Sequence, residues 1–65
     1  MNFKDAEGWL KLGFTARRKC WTKGLYCKWI ETDHYGNQYL KMSNPNVPLQ
    51  PVTKTEKNAK DWERY

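Results

Sequence analysis

Three prolines within seven positions, Pro45, Pro48 and Pro51, constrain this chain more than any other feature. Each lacks a backbone N–H and fixes its own φ, so residues 43–51 support neither a continuous helix nor a central strand. The segment reads as a surface loop. Residues 1–42 must then supply most of the regular structure, and residues 52–65 can add little more than a turn and a strand.

Residues 3–12 carry helical signals. Asn2 can cap the segment, Asp5 sits in the first turn where the helix dipole favours an anion, and Phe3, Ala6 and Leu10 fall on one face with Trp9 adjoining. Gly13 is placed to end the helix, while Gly8 inside it weakens the segment by about 1 kcal/mol relative to alanine. Residues 15–21 and 25–31 read as two strands joined by Thr22-Lys23-Gly24, a loop that fits a type I turn followed by a left-handed glycine. That register opposes Trp21 to Leu25 and Cys20 to Tyr26. It puts Trp21, Leu25, Cys27 and Trp29 on one face and Arg18, Cys20, Tyr26, Lys28 and Ile30 on the other. The two cysteines then point apart, which argues against a disulfide.

Asp33-His34-Tyr35-Gly36-Asn37 reads as a second turn and residues 38–42 as a third strand. Thr53-x-x-Glu56 has capping-box spacing and predicts a short helical turn over 54–59. The alternation over 61–65 predicts a last strand. The expected fold is α+β: one domain over residues 1–65, with a small antiparallel sheet of about four strands, an N-terminal helix and a short C-terminal helical turn.

A chain of 65 residues buries only about 60% of its unfolded surface, so self-association is expected to supplement its core. Two cysteines and one histidine fall short of a four-ligand zinc site, and no metal or cofactor is expected. No stretch approaches the roughly 20 apolar residues of a membrane helix, and no N-terminal run resembles a signal peptide. A cytoplasmic location with reduced thiols is expected. The formal net charge of +5 favours anionic partners; the basic residues are dispersed, which suits a compact anion site better than a long nucleic-acid track.

Catalysis finds little support. His34 is the sole histidine and lies in a turn, so neither cysteine has an evident base, the acids are scattered, and no glycine-rich phosphate loop is present. A binding protein is expected.

Two segments stand out for placing tryptophan beside charged groups: Arg18-Lys19-Cys20-Trp21-Thr22-Lys23-Gly24-Leu25-Tyr26, and Thr53-Lys54-Thr55-Glu56-Lys57-Asn58-Ala59-Lys60-Asp61-Trp62-Glu63. With the helix before them and the proline loop between them, the order from about Phe3 to Tyr65 resembles the second family of Thoeris anti-defence proteins, which are small phage proteins. Two positions and one stretch depart from the family pattern. Val52 stands where proline is expected, Glu56 replaces an aspartate, and the stretch from Glu31 to Pro51 is short. The resemblance implies a homo-oligomer, with pockets at or near subunit contacts, acting in the cytoplasm of an infected bacterium. It implies that the protein holds a cyclic nucleotide immune signal, a glycocyclic ADP-ribose isomer or a cyclic oligonucleotide, without cleaving it.

Such a site needs aromatic faces for bases and cationic groups for phosphates. Arg18 is the first candidate for a phosphate, since a guanidinium grips two oxygens; Lys28 and Tyr26 share its expected face. Trp21 and Trp62 match the family's tryptophans and suit the core better than a stacking platform. Trp9 and Trp29 are assigned to the core or a subunit contact. Asp61 suits a ribose hydroxyl or its own turn, and Thr53 suits a helix cap or a phosphate contact. Asn44 and Asn46 offer amides to a base edge. Two other functions fit the same residues: a single-stranded nucleic-acid-binding protein, and a direct inhibitor of a host enzyme.

Overall fold

The computed structural model describes residues 1–65. Helix α1 spans Phe3–Lys11, followed by strands β1 (Ala16–Arg18), β2 (Cys27–Thr32), β3 (Gln38–Met42) and β4 (Gln50–Pro51), helix α2 (Lys54–Asn58) and strand β5 (Trp62–Arg64). The sheet is antiparallel, in the order β4-β3-β2-β1-β5. The α+β expectation holds with five strands rather than four. The additional one, β4, is two residues at the sheet edge, where Pro51 needs no N–H for a neighbour.

Local chemistry sets the helix ends. The Asn2 side chain accepts from the Asp5 amide at 2.9 Å. At the other end the amides of Gly13 and Phe14 donate back to Leu10 and Trp9, with Gly13 at φ +93°. This paired closure needs a left-handed residue, and glycine adopts it without strain. Helix α2 carries the complete capping box: Glu56 N–H donates to Thr53 Oγ1, and Thr53 N–H donates to Glu56 Oε1.

The expected hairpin of residues 15–31 is wrong in register. Ala16 opposes Cys27, where the predicted pairing would have opposed it to Ile30. The chain leaves β1 at Arg18, turns as the Trp21 N–H donates a hydrogen bond to the Arg18 carbonyl, and turns again as the Leu25 N–H donates to the Thr22 carbonyl with Gly24 at φ +88°. A positive φ at the third position of that second turn marks type II, not type I. Residues 19–26 therefore form a broad loop, and β1 takes most of its pairing from β5.

The second correction lies in β2. Cys27 opposes Met42 and Trp29 opposes Lys41, leaving Lys28 as an extra residue in a β-bulge. The bulge resets the alternation, so Cys27 and Ile30 share the inner face and Trp29 turns outward, 43% exposed, rather than into the core. Both helices lie on that inner face. Phe3, Ala6 and Leu10 of α1 pack against Ala16, Cys27, Leu40, Met42 and Trp62. The outer face carries Arg17, Trp29, Glu31, Tyr39, Lys41 and Glu63 and has no helix over it, an arrangement open to antiparallel sheets.

Trp62 closes the core. It is 0% exposed, lies 5.6 Å from Phe3 and 5.4 Å from Trp21 between ring centroids, and donates its indole N–H to the Glu56 carbonyl at 2.9 Å. Cys27 is also buried, and its thiol donates to the Trp29 carbonyl. Burial pushes that thiol up to about 12, so its reactive thiolate is scarce at pH 8. Cys20 is exposed in the broad loop. A thiol reagent at pH 8 is expected to label Cys20 rapidly and Cys27 only after denaturant is added. Equal labelling of both in the native protein would show that the core opens at Cys27.

Candidate functional site

Two adjoining concavities flank the broad loop. The first is a groove of about 460 Å³ on the helix-bearing side of the sheet. Leu40 and Met42 form its base, Trp21 and Leu25 one side, Val47, Gln50 and Pro51 the other, and Thr53 and Glu56 one end. That volume lies within the range of small-ligand pockets, and an apolar lining with a few polar groups is typical of them. The proline loop explains the far side: Pro51 holds the β4 edge, and the Val47 amide closes a turn onto the Asn44 carbonyl at 3.1 Å. No lysine or arginine lines this groove.

The second concavity is a shallower polar depression of about 600 Å³, sharing Leu25 with the groove. It is formed by Thr22, Lys23, Gly24, Tyr26, Ser43, Asn44 and Pro45. Ser43 fastens the broad loop here. Its hydroxyl accepts from the Tyr26 amide and donates to the Gly24 carbonyl, both at 3.3 Å, and the Ser43 amide donates to the Tyr26 carbonyl at 2.8 Å.

The residues expected to bind ligand are divided among five places. Trp21 and Thr53 meet in the groove. Tyr26 borders the depression and stacks on Tyr65 at 4.6 Å. Arg18 and Asp61 pair with each other: Nε and Nη2 donate to the two carboxylate oxygens at 2.8 and 3.4 Å. Lys28 stands in the β2 bulge, outside both concavities. Trp62 has no exposed surface, so a direct ligand contact, one of its two sequence-based roles, has no surface to use; it backs Trp21 from beneath. Thr53 uses its hydroxyl as the α2 cap, accepting from Glu56 N–H and donating to Glu56 Oε1 at 3.0 Å. Asn44 lines the depression with its Oδ1 accepting from the Asn46 amide, whereas Asn46 lines neither concavity. Lys23, Leu25, Ser43, Val47 and Gln50 were not singled out from sequence. Only the turn glycine beside Lys23 carried a local signal.

The Arg18–Asp61 pair ties β1 to the segment before β5, next to the opposed residues Arg18 and Trp62. The hydrogen bond from Arg18 holds the Asp61 carboxyl below the usual carboxylate range, and the same bond raises the arginine. In the second turn, burial pushes Asp33 upward. The amides of Asn37 and Tyr35, the Asn37 side chain and the Tyr39 hydroxyl outweigh it, and the net shift is downward. Both carboxyls thus have folded values below their unfolded value of about 3.9, so their stabilisation is complete above that pH and is lost as pH falls through the folded values. The urea midpoint is expected to be insensitive to these groups between about pH 5 and 7 and to fall below about pH 4. The double substitution Asp33→Asn, Asp61→Asn should flatten that acid limb. An unchanged limb in the double variant would assign it to other carboxyls.

No curated protein matches the chain. Residues 1–65 match the Tad2-like family, described as the Thoeris anti-defense 2-like domain. That match covers every element described above, including the groove, the capped α2 turn and Trp62. The chain therefore belongs to the Thoeris anti-defense 2-like family, which supports an anti-defence role.

Proposed function

We propose that the protein sequesters a cyclic nucleotide-derived immune signal, taking a base into the Trp21 groove and directing phosphate toward the neighbouring depression, without cleaving it. The observation that carries this reading is the bipartite site itself. An apolar groove walled by a tryptophan adjoins a polar depression containing Lys23. A base stacks on the indole face, while a lysine ammonium and loop amides suit phosphate oxygens. The absence of any cation among the groove's lining residues fits an uncharged base there and favours the depression for the anion. Arg18 supports the site indirectly, by holding the base of the broad loop through Asp61. No side chain that could serve as a base borders the groove except Glu56, whose Oε1 is engaged by Thr53, and this favours holding over turnover.

In the same reading a second copy of the chain completes the enclosure of a ligand larger than the groove. The test is capture and release. Purified protein is incubated with cyclic ADP-ribose isomers and cyclic di- and trinucleotides, washed and denatured, and the released species is identified by mass. One intact species released at fixed stoichiometry supports sequestration. A cleaved product would replace it with an enzymatic role, and retention of none would remove the reading for that panel.

A further inference from the structure

The outer face of the sheet has chemistry the bipartite site does not use. The β2 bulge sets two successive residues, Lys28 and Trp29, against Lys41 of β3. Neither lysine has a carboxylate within ion-pair distance, since the ion pairs join Lys11 to Glu7, Arg17 to Glu63 and Arg18 to Asp61. Trp29 is 43% exposed, and its indole N–H donates to Glu31 Oε1 at 3.1 Å, which sets the ring's orientation before any ligand arrives. Tyr39 is also on this face, with its hydroxyl fixed on Asp33 Oδ2 at 3.2 Å. At the other side of the sheet Tyr65, 54% exposed, is stacked on Tyr26 beneath the Arg17 guanidinium.

We infer that this uncovered face binds single-stranded nucleic acid, with Trp29 stacking on a base and Lys28 and Lys41 meeting the flanking phosphates. Two unpaired lysines beside an exposed indole select this occupant, because the carboxylates of the same face are already engaged, Glu63 by Arg17 and Glu31 by Trp29. Free cations interleaved with pre-oriented aromatic rings on an open sheet match the alternation of phosphate and base along a strand. A second copy of the chain is a poorer match. A two-fold contact centred on Trp29 would bring Lys28 and Lys41 near their own equivalents, in a chain of net charge +5. The groove and depression lie elsewhere, so this activity stands or falls independently of signal capture.

The test is fluorescence anisotropy with labelled twelve-nucleotide single strands, oligo(dT) and oligo(rU), titrated with the full chain at 50 and 200 mM salt. Saturable binding is expected at low salt. Two phosphate contacts give a log–log salt slope of about −1.4, a roughly sevenfold loss of affinity over that range. Trp29→Ala is expected to weaken binding about tenfold. Lys41→Glu is expected to weaken it and to flatten the salt dependence; circular dichroism checks that both exposed-face variants remain folded. Absence of binding at 50 mM salt would overturn the proposal, as would binding that both variants leave unchanged. Loss of self-association in Trp29→Ala without any change in oligonucleotide affinity would also overturn it and give the face to a second copy.

Discussion

Trp62→Ala is expected to leave the chain largely unfolded in water at 25 °C. Removing a fully buried tryptophan forfeits its transfer free energy and leaves a cavity, together about 3–5 kcal/mol. A single core in a domain of this length rarely supplies more than about 3–5 kcal/mol of net stability. Trp62 is wholly enclosed, touches Phe3 and Trp21, and bridges to α2 through the Glu56 carbonyl. Trp62→Phe keeps a ring against Phe3, and the Glu56 carbonyl still accepts the Ala59 amide, so a smaller loss of about 2 kcal/mol is expected. Urea unfolding followed by far-ultraviolet circular dichroism checks both. An alanine variant within about 1 kcal/mol of the parent would show that Trp62 is not the keystone of this core.

Trp21→Ala is expected to do the opposite: to remain folded and lose ligand. Trp21 is half-buried, meets Trp62 edge to face, and presents its remaining surface to the groove. Loss of a stacking platform weakens base binding by about 1–3 kcal/mol, or roughly 5- to 150-fold. Affinity for whichever species the protein releases intact is expected to fall by that factor, while the urea midpoint moves much less than in Trp62→Ala. Undiminished affinity in a folded Trp21→Ala variant would remove the groove from the binding site. The two tryptophans are alike in sequence context, each near a charged partner, and the structure separates them by depth alone.

That separation illustrates what the sequence could and could not reveal. Signals acting within a few residues were legible. Asn2, Gly13, the Asp33–Asn37 turn, strand 38–42 and the Thr53–Glu56 box all appear where their local chemistry places them, because each rests on hydrogen bonds to near neighbours. The broad loop was not legible. Trp21 and Leu25 look like facing strand residues, yet β1 is claimed by β5, whose three paired residues lie more than forty positions downstream. The bulge at Lys28 was equally hidden, although the spacing of Cys27 and Ile30, three apart rather than two, is its trace in the sequence. The site suffered accordingly. Thr53 and Trp21 were identified but assigned to different segments, and their meeting depends on the return of the proline loop. Arg18 reads in the sequence as a phosphate contact and Asp61 as a ligand contact or a tie for its own turn; the structure pairs the two with each other.

The meeting of the first and last elements has a kinetic meaning. Met1 and Trp62, sixty-one positions apart, exchange backbone hydrogen bonds, and Phe3 packs on Trp62. No segment confined to one half of the chain contains a finished core. The entropy of closing nearly the whole chain into one loop must be met before the largest side chain is enclosed. Contacts of such high sequence separation are expected to make folding all-or-none and slower than that of a helical chain of the same length.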